Sequence, residues 1–156
     1  MKRLTIIFIL FFPAFSFAKD KSAIYEASML QYSKDIIDFC DYFCEVDTVK
    51  KVFIHPMDNA GMKALERLMK GFSKSFNKYE KSNEKLGLEK TAIKEREDLL
   101  KEEFGEMYDH YYKVKDYYME MADEYDRSLM RLSWELNDIK INAKKIIKHL
   151  EKNRIR

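Results

Sequence analysis

The sequence predicts an all-α fold, an elongated helical hairpin or bundle with coiled-coil character, preceded by a cleaved signal peptide. Three observations carry this. Only 4 Gly and 2 Pro punctuate the 156 residues, too few for an all-β chain, which turns roughly every 8 to 12 residues. Apolar residues recur at spacings of three and four from Tyr25 to Val46 and again from Leu65 onward, the period of a helix with one covered face. The chain opens with Lys2 and Arg3, continues through an apolar run, and reaches Ser16-Phe17-Ala18 just before Lys19-Asp20, the order of a secretory leader.

Cleavage is expected after Ala18, which makes residues 1–18 the signal peptide and 19–156 a single helical domain. Pro13 and the early charges keep the apolar run short of the roughly 20 residues that a spanning helix needs. An uncleaved membrane anchor is the rival reading, although no Cys follows the run to accept a lipid. Export also changes the charge balance. The chain carries 29 Lys and Arg against 27 Asp and Glu, and loss of Lys2 and Arg3 leaves equal numbers. Without a basic excess to attract phosphates, no nucleic-acid partner is expected.

The first helix is placed at about 22–46, where Tyr25, Met29, Tyr32, Ile36, Phe39, Phe43 and Val46 form one row. A flanking row of Leu30, Ile37, Cys40 and Cys44 widens the stripe, so two neighbouring helices should cover it. A connector follows over 47–58, with β character at Val49, Val52, Phe53 and Ile54 and a stop at His55-Pro56. Asp58 or Asn59 then caps a helix at about 59–82. From Leu65 a seven-residue rhythm runs through Phe72, Tyr79, Leu86, Ile93, Leu100, Met107, Val114 and Met121. Its companion row turns polar at Asn83, Lys90 and Glu97, which together with Gly87 places a turn at about 82–88. A long helix is expected over 89–152, straight or bent near Gly105 or Asp126. Past Met121 the apolar row shifts through Leu129, Leu132, Leu136, Ile139, Ala143, Ile146 and Leu150, read as a stutter. Either the first helix or a second copy of the chain must cover this half. The basic stretch Lys63 to Lys78 beside the acid-rich stretch Glu95 to Asp126 is expected to select the antiparallel pairing.

Cys40 and Cys44 are the covalent candidates. In an exported chain a disulfide between them is the first expectation, ahead of two free thiols or an intermolecular bridge. Glu102, Glu103, Glu106, Asp109 and His110 form an acidic cluster read as a solvated face, and no metal, cofactor or catalytic residue is assigned. No Gly-flanked Ser, Gly-rich phosphate loop or zinc-protease spacing is present, so a non-enzymatic chain is expected. Tyr108, Tyr112 and Tyr117 lie off the apolar row and are interface candidates, because Tyr offers a rigid surface with a polar tip. Lys144 and Lys148 belong to a basic C-terminal end that could meet an acidic partner or an anionic membrane surface.

The expected function is that of a periplasmic or secreted interaction and scaffold protein of the bacterial cell envelope, a minor component of a secretion or conjugation apparatus. Its partners would be envelope proteins or further copies of itself. The alternative is a periplasmic holdase-type chaperone gripping unfolded clients between helical arms. A secreted effector is a third reading.

Overall fold

The computed structural model describes the backbone of residues 4–47, 49–50, 52–85, 91–120 and 125–152. Side chains are described within 21–47, 49–50, 53–84, 94–120 and 128–152. In chain order the elements are α1 (Leu4–Phe43), β1 (Val46–Asp47), β2 (Val52–Phe53), α2 (Asn59–Lys85), α3 (Thr91–Glu120) and α4 (Tyr125–Glu151). The molecule is an all-α bundle with a two-stranded hairpin between its first two helices.

That hairpin is the β-rich connector. Val46 pairs with Phe53 and Asp47 with Val52, antiparallel. The Asp47 carboxylate accepts the amides of Val49 at 2.9 Å and Lys50 at 3.0 Å, a side-chain turn that replaces missing backbone partners. Val46 therefore ends in a strand and is exposed, not in the last turn of a helix. Asp58 is the cap of α2, its Oδ1 accepting the Gly61 amide at 2.7 Å.

The long helix expected over 89–152 is two helices. α3 passes through Gly105 without interruption and ends at Glu120, and α4 starts at Tyr125. They run antiparallel, since Tyr117 lies under the Arg131 guanidinium at 5.6 Å while Arg96 reaches the Leu150 carbonyl at 3.3 Å. The physical reason is coverage: a single rod would leave the row from Leu132 to Leu150 bare, whereas folding back buries all of it. α2 and α3 are also separate and antiparallel, with Phe72 and Phe104 stacked at 4.8 Å. The turn itself, the heptad positions Leu86, Ile93 and Met121, and Asp126 fall outside the described side chains.

α1 packs against α2 and α4, and α3 against α4, whereas α2 and α3 meet mainly through aromatic side chains. α2 and α4 therefore stand at opposite corners. Every described member of the seven-residue rhythm is buried: Leu65, Phe72, Tyr79, Leu100, Met107 and Val114. On α1 the covered face is rotated from the expected row. Met29, Ser33, Ile36 and Cys40 are fully buried while Tyr25, Tyr32, Phe39 and Phe43 are half-buried. Ser33 is admitted because its hydroxyl donates to the Met29 carbonyl at 2.9 Å.

The polar stretch of the seam is not a solvated tip. Ser22 of α1 donates to Asn83 Oδ1 at 2.9 Å, and the Asn83 amide donates to Glu97 of α3. Arg96 donates to Glu26 at 2.8 Å, to the last turn of α4, and lies 6.0 Å from the Tyr79 ring. One polar cluster thus touches all four helices. Charge pairing also differs from expectation. The acids Glu103 and Glu135 meet Lys145 at 3.0 Å and Lys113 at 3.6 Å across α3 and α4, while the basic residues of α2 face solvent.

Two glycines have opposite surroundings. A Cβ on Gly71 would lie 2.4 Å from Tyr32 Cζ, whereas one on Gly105 meets nothing within 4 Å. Gly71→Ala should destabilise the bundle by about 1–3 kcal/mol through the displaced ring. Gly105→Ala should stabilise it by up to about 1 kcal/mol through helix propensity alone. Urea unfolding followed by far-ultraviolet circular dichroism measures both, and equal effects of the two substitutions would contradict the packing of α1 on α2.

Candidate protein interface

The core row of α4 runs Leu132, Leu136, Ile139, Ala143, Ile146 and Leu150, so the opposite side of the helix should be polar. It is not uniformly so. Met130, Trp134 and Ile141, spaced four and seven residues apart, sit on that outward side at 54%, 62% and 43% exposure. They form an apolar stripe over three turns. Large apolar side chains scattered singly need no explanation, whereas an aligned set on one face is the feature of this helix that its own core does not account for. The stripe continues toward Lys144 and Lys148, both exposed, which with Ile147, Glu151 and Lys152 line a shallow depression.

The tyrosine candidates divide. Tyr108 is half-buried in an aromatic row on α3, edge-on to Phe104 at 4.9 Å and to Tyr111 at 5.7 Å. Tyr112 leans on Tyr108 at 5.8 Å and is 54% exposed, so it remains available for contact. Tyr117 serves the bundle itself, as the face beneath Arg131. The structure therefore brings Tyr108 and Tyr112 together but leaves Lys144 and Lys148 on another helix. Sequence reasoning missed the Met130–Trp134–Ile141 stripe, because apolar residues flanking an apolar row look like a wider core face. The signal available was phase: these positions lie half a turn from Leu132 and Leu136.

The acidic cluster is partly drawn into the bundle. His110 Nδ1 lies 2.5 Å from Glu135 Oε2 and 3.9 Å from Asp138 Oδ2, across α3 and α4. These three residues offer donor atoms within 4.8 Å of one another, a set that could in principle hold a cation. The Lys113 ammonium, 3.6 Å from the same Glu135 oxygen, already supplies positive charge there. The arrangement is an interhelical polar cluster around the Lys113–Glu135 ion pair. Glu102, Glu106 and Asp109 stay exposed.

The disulfide expected between Cys40 and Cys44 is not formed, and both thiols are free. The helical bond from the Cys44 amide to the Cys40 carbonyl persists at 2.9 Å, so the backbone does not fray to bring the sulfurs together. The Cys44 thiol instead donates to the Ser133 carbonyl of α4 at 3.6 Å. Beside it Lys140 pairs with Asp41, closing the seam between α1 and α4.

Burial, reinforced by the neighbouring Cys44 and Asp41, pushes the Cys40 thiol far above its ordinary range. Burial also pushes Cys44 up to about 11, with Lys140 opposing it. Both folded values exceed the ordinary 9.0, so this contribution to stability is whole below about pH 9 and is lost as pH rises through 11. Denaturation midpoints should fall over that window, and fall less in a Cys40→Ala/Cys44→Ser chain. At neutral pH iodoacetamide should label Cys44 slowly and Cys40 only after unfolding; rapid labelling of both would contradict their packing. Compared with protein-family models, curated proteins and solved structures, the chain matches none.

Proposed function

We propose that this chain is an exported, non-enzymatic adaptor of the bacterial cell envelope, a minor component of a secretion or conjugation apparatus, which docks on one protein partner through the outward face of α4. The observation that carries the reading is the exposed stripe of Met130, Trp134 and Ile141. Trp is the residue type most enriched among interface hot spots, and its value there comes from being covered. A folded bundle leaves this side chain in water only at a cost that docking removes. Export is supported by the order of basic, apolar and small residues in the first eighteen positions. The long seven-residue rhythm supports coiled-coil character in the packing.

A holdase would grip clients between open arms. Here the arms close on each other over a shared core of Phe72, Met107, Leu136 and Ile139, which favours the adaptor.

Trp134 is the sole tryptophan, so its fluorescence reports the face directly. Its emission should be red-shifted in the free chain and shift to the blue on docking. A photo-crosslinking residue at position 134, in cells that make the protein, should give one or two discrete adducts with envelope proteins, and Trp134→Ala should abolish co-purification without loss of helicity. A smear of unrelated adducts would support a chaperone instead, and absence of any adduct would refute docking through α4.

A further inference from the structure

Six of the seven cations of α2, Lys63, Arg67, Lys70, Lys74, Lys78 and Lys81, follow one another at intervals of four, three, four, four and three. That spacing holds them on one line of the helix, and all six are exposed. The line spans about 27 Å at 1.5 Å per residue. It lies opposite the buried row Leu65, Met69, Phe72, Phe76 and Tyr79. Among the described residues no ion pair engages Lys63, Arg67, Lys74 or Lys81. Lys70 pairs with Glu66 along the same helix, and Lys78 lies over the Tyr25 ring at 5.6 Å. The chain as a whole is close to neutral, so this is segregated charge and not a general basic surplus.

We propose that the basic ridge of α2 is a docking surface for an anionic lipid leaflet, on which the bundle lies along its side. A straight line of cations on a convex helix can touch a flat surface along its whole length at once. Five of the six are Lys, a hydrated point charge suited to a headgroup layer, whereas a carboxylate-bearing protein partner is better matched by the planar fork of Arg. Near an anionic leaflet each basic side chain strengthens binding about fivefold, while exposed ion pairs between proteins contribute little. Lys70, Lys74, Lys78 and Lys81 also line a shallow depression with Ser73 and Tyr108, where a headgroup phosphate can be met from several sides. Tyr25 on one flank and Tyr108 on the other present the amphipathic rings that favour a membrane boundary.

The basic C-terminal end is a weaker candidate, because Lys140 and Lys145 are already held by Asp41 and Glu103. It stands at the opposite corner and provides the control. The full chain should float with vesicles of phosphatidylglycerol mixed with phosphatidylcholine, more weakly with phosphatidylcholine alone, and the difference should shrink as salt rises. Arg67→Gln/Lys74→Gln/Lys81→Gln should lower the headgroup-dependent affinity about a hundredfold, the product of three such steps. Lys144→Gln/Lys148→Gln/Lys152→Gln, with the same change in net charge, should leave it nearly intact, and both variants should keep the parent helicity. Equal losses in the two variants, or binding indifferent to headgroup charge, would overturn the proposal. So would capture by poly-L-glutamate without capture by the anionic vesicles, which would assign the ridge to an acidic polypeptide.

Discussion

Coverage of α4 is the constraint on which the rest of the bundle depends. Its row from Leu132 to Leu150 is buried throughout, and no single neighbour could cover it. α1 takes one side through Cys40, Cys44 and the Asp41–Lys140 pair. α3 takes the other through Met107, Val114 and the His110–Glu135 contact. Once α1 and α3 both lie against α4, α2 is left to close the square, and it does so with large rings instead of close backbone approach. Phe72 and Phe76 reach Phe104 from a helix that is otherwise farther away. Aromatic bulk at these positions is thus a consequence of geometry, filling a gap that aliphatic side chains would leave.

The polar cluster around Arg96 specifies how the four helices align at one end. Arg96 and Glu26 are 13% and 22% exposed, and a pair so far removed from water is tolerated only when its partners are in place. Any shift of α1 or α4 along its axis would strand the guanidinium. The apolar rows, which can slide by a turn at modest cost, cannot supply that discrimination. Stability resides in the seam, and register resides in Arg96, Asn83 and their acceptors.

Much of the fold was legible in the residue pattern. The rhythm from Leu65 to Val114 identified buried positions that the structure confirms wherever they are described, and the β-rich connector with a cap at Asp58 or Asn59 was readable from local chemistry, the structure choosing Asp58. What escaped was long-range. The shift of the apolar row after Met121 reads equally as a stutter in one rod or as the reversal between two helices, because a seven-residue pattern records phase and not direction. Cys40 and Cys44 looked pairable by spacing, yet spacing says nothing of the α4 carbonyl that the Cys44 thiol meets. The basic run on α2 looked like a match for the acids of α3. Only the helical phase, with Lys70 and Lys74 each about half a turn from Phe72, shows that it points away. The Met130–Trp134–Ile141 stripe was hidden for the converse reason, its apolar composition resembling the core beside it.

The placement of α4 has a temporal side. It is synthesised after α1, α2 and α3, and it is the helix on which two others lean. A chain emerging from its N-terminus can pair α1 with α2 early, since they are joined by a short hairpin, but the inner faces of α1 and α3 stay uncovered until α4 arrives. Closure of the bundle therefore waits on α4, whose arrival acts as the latch.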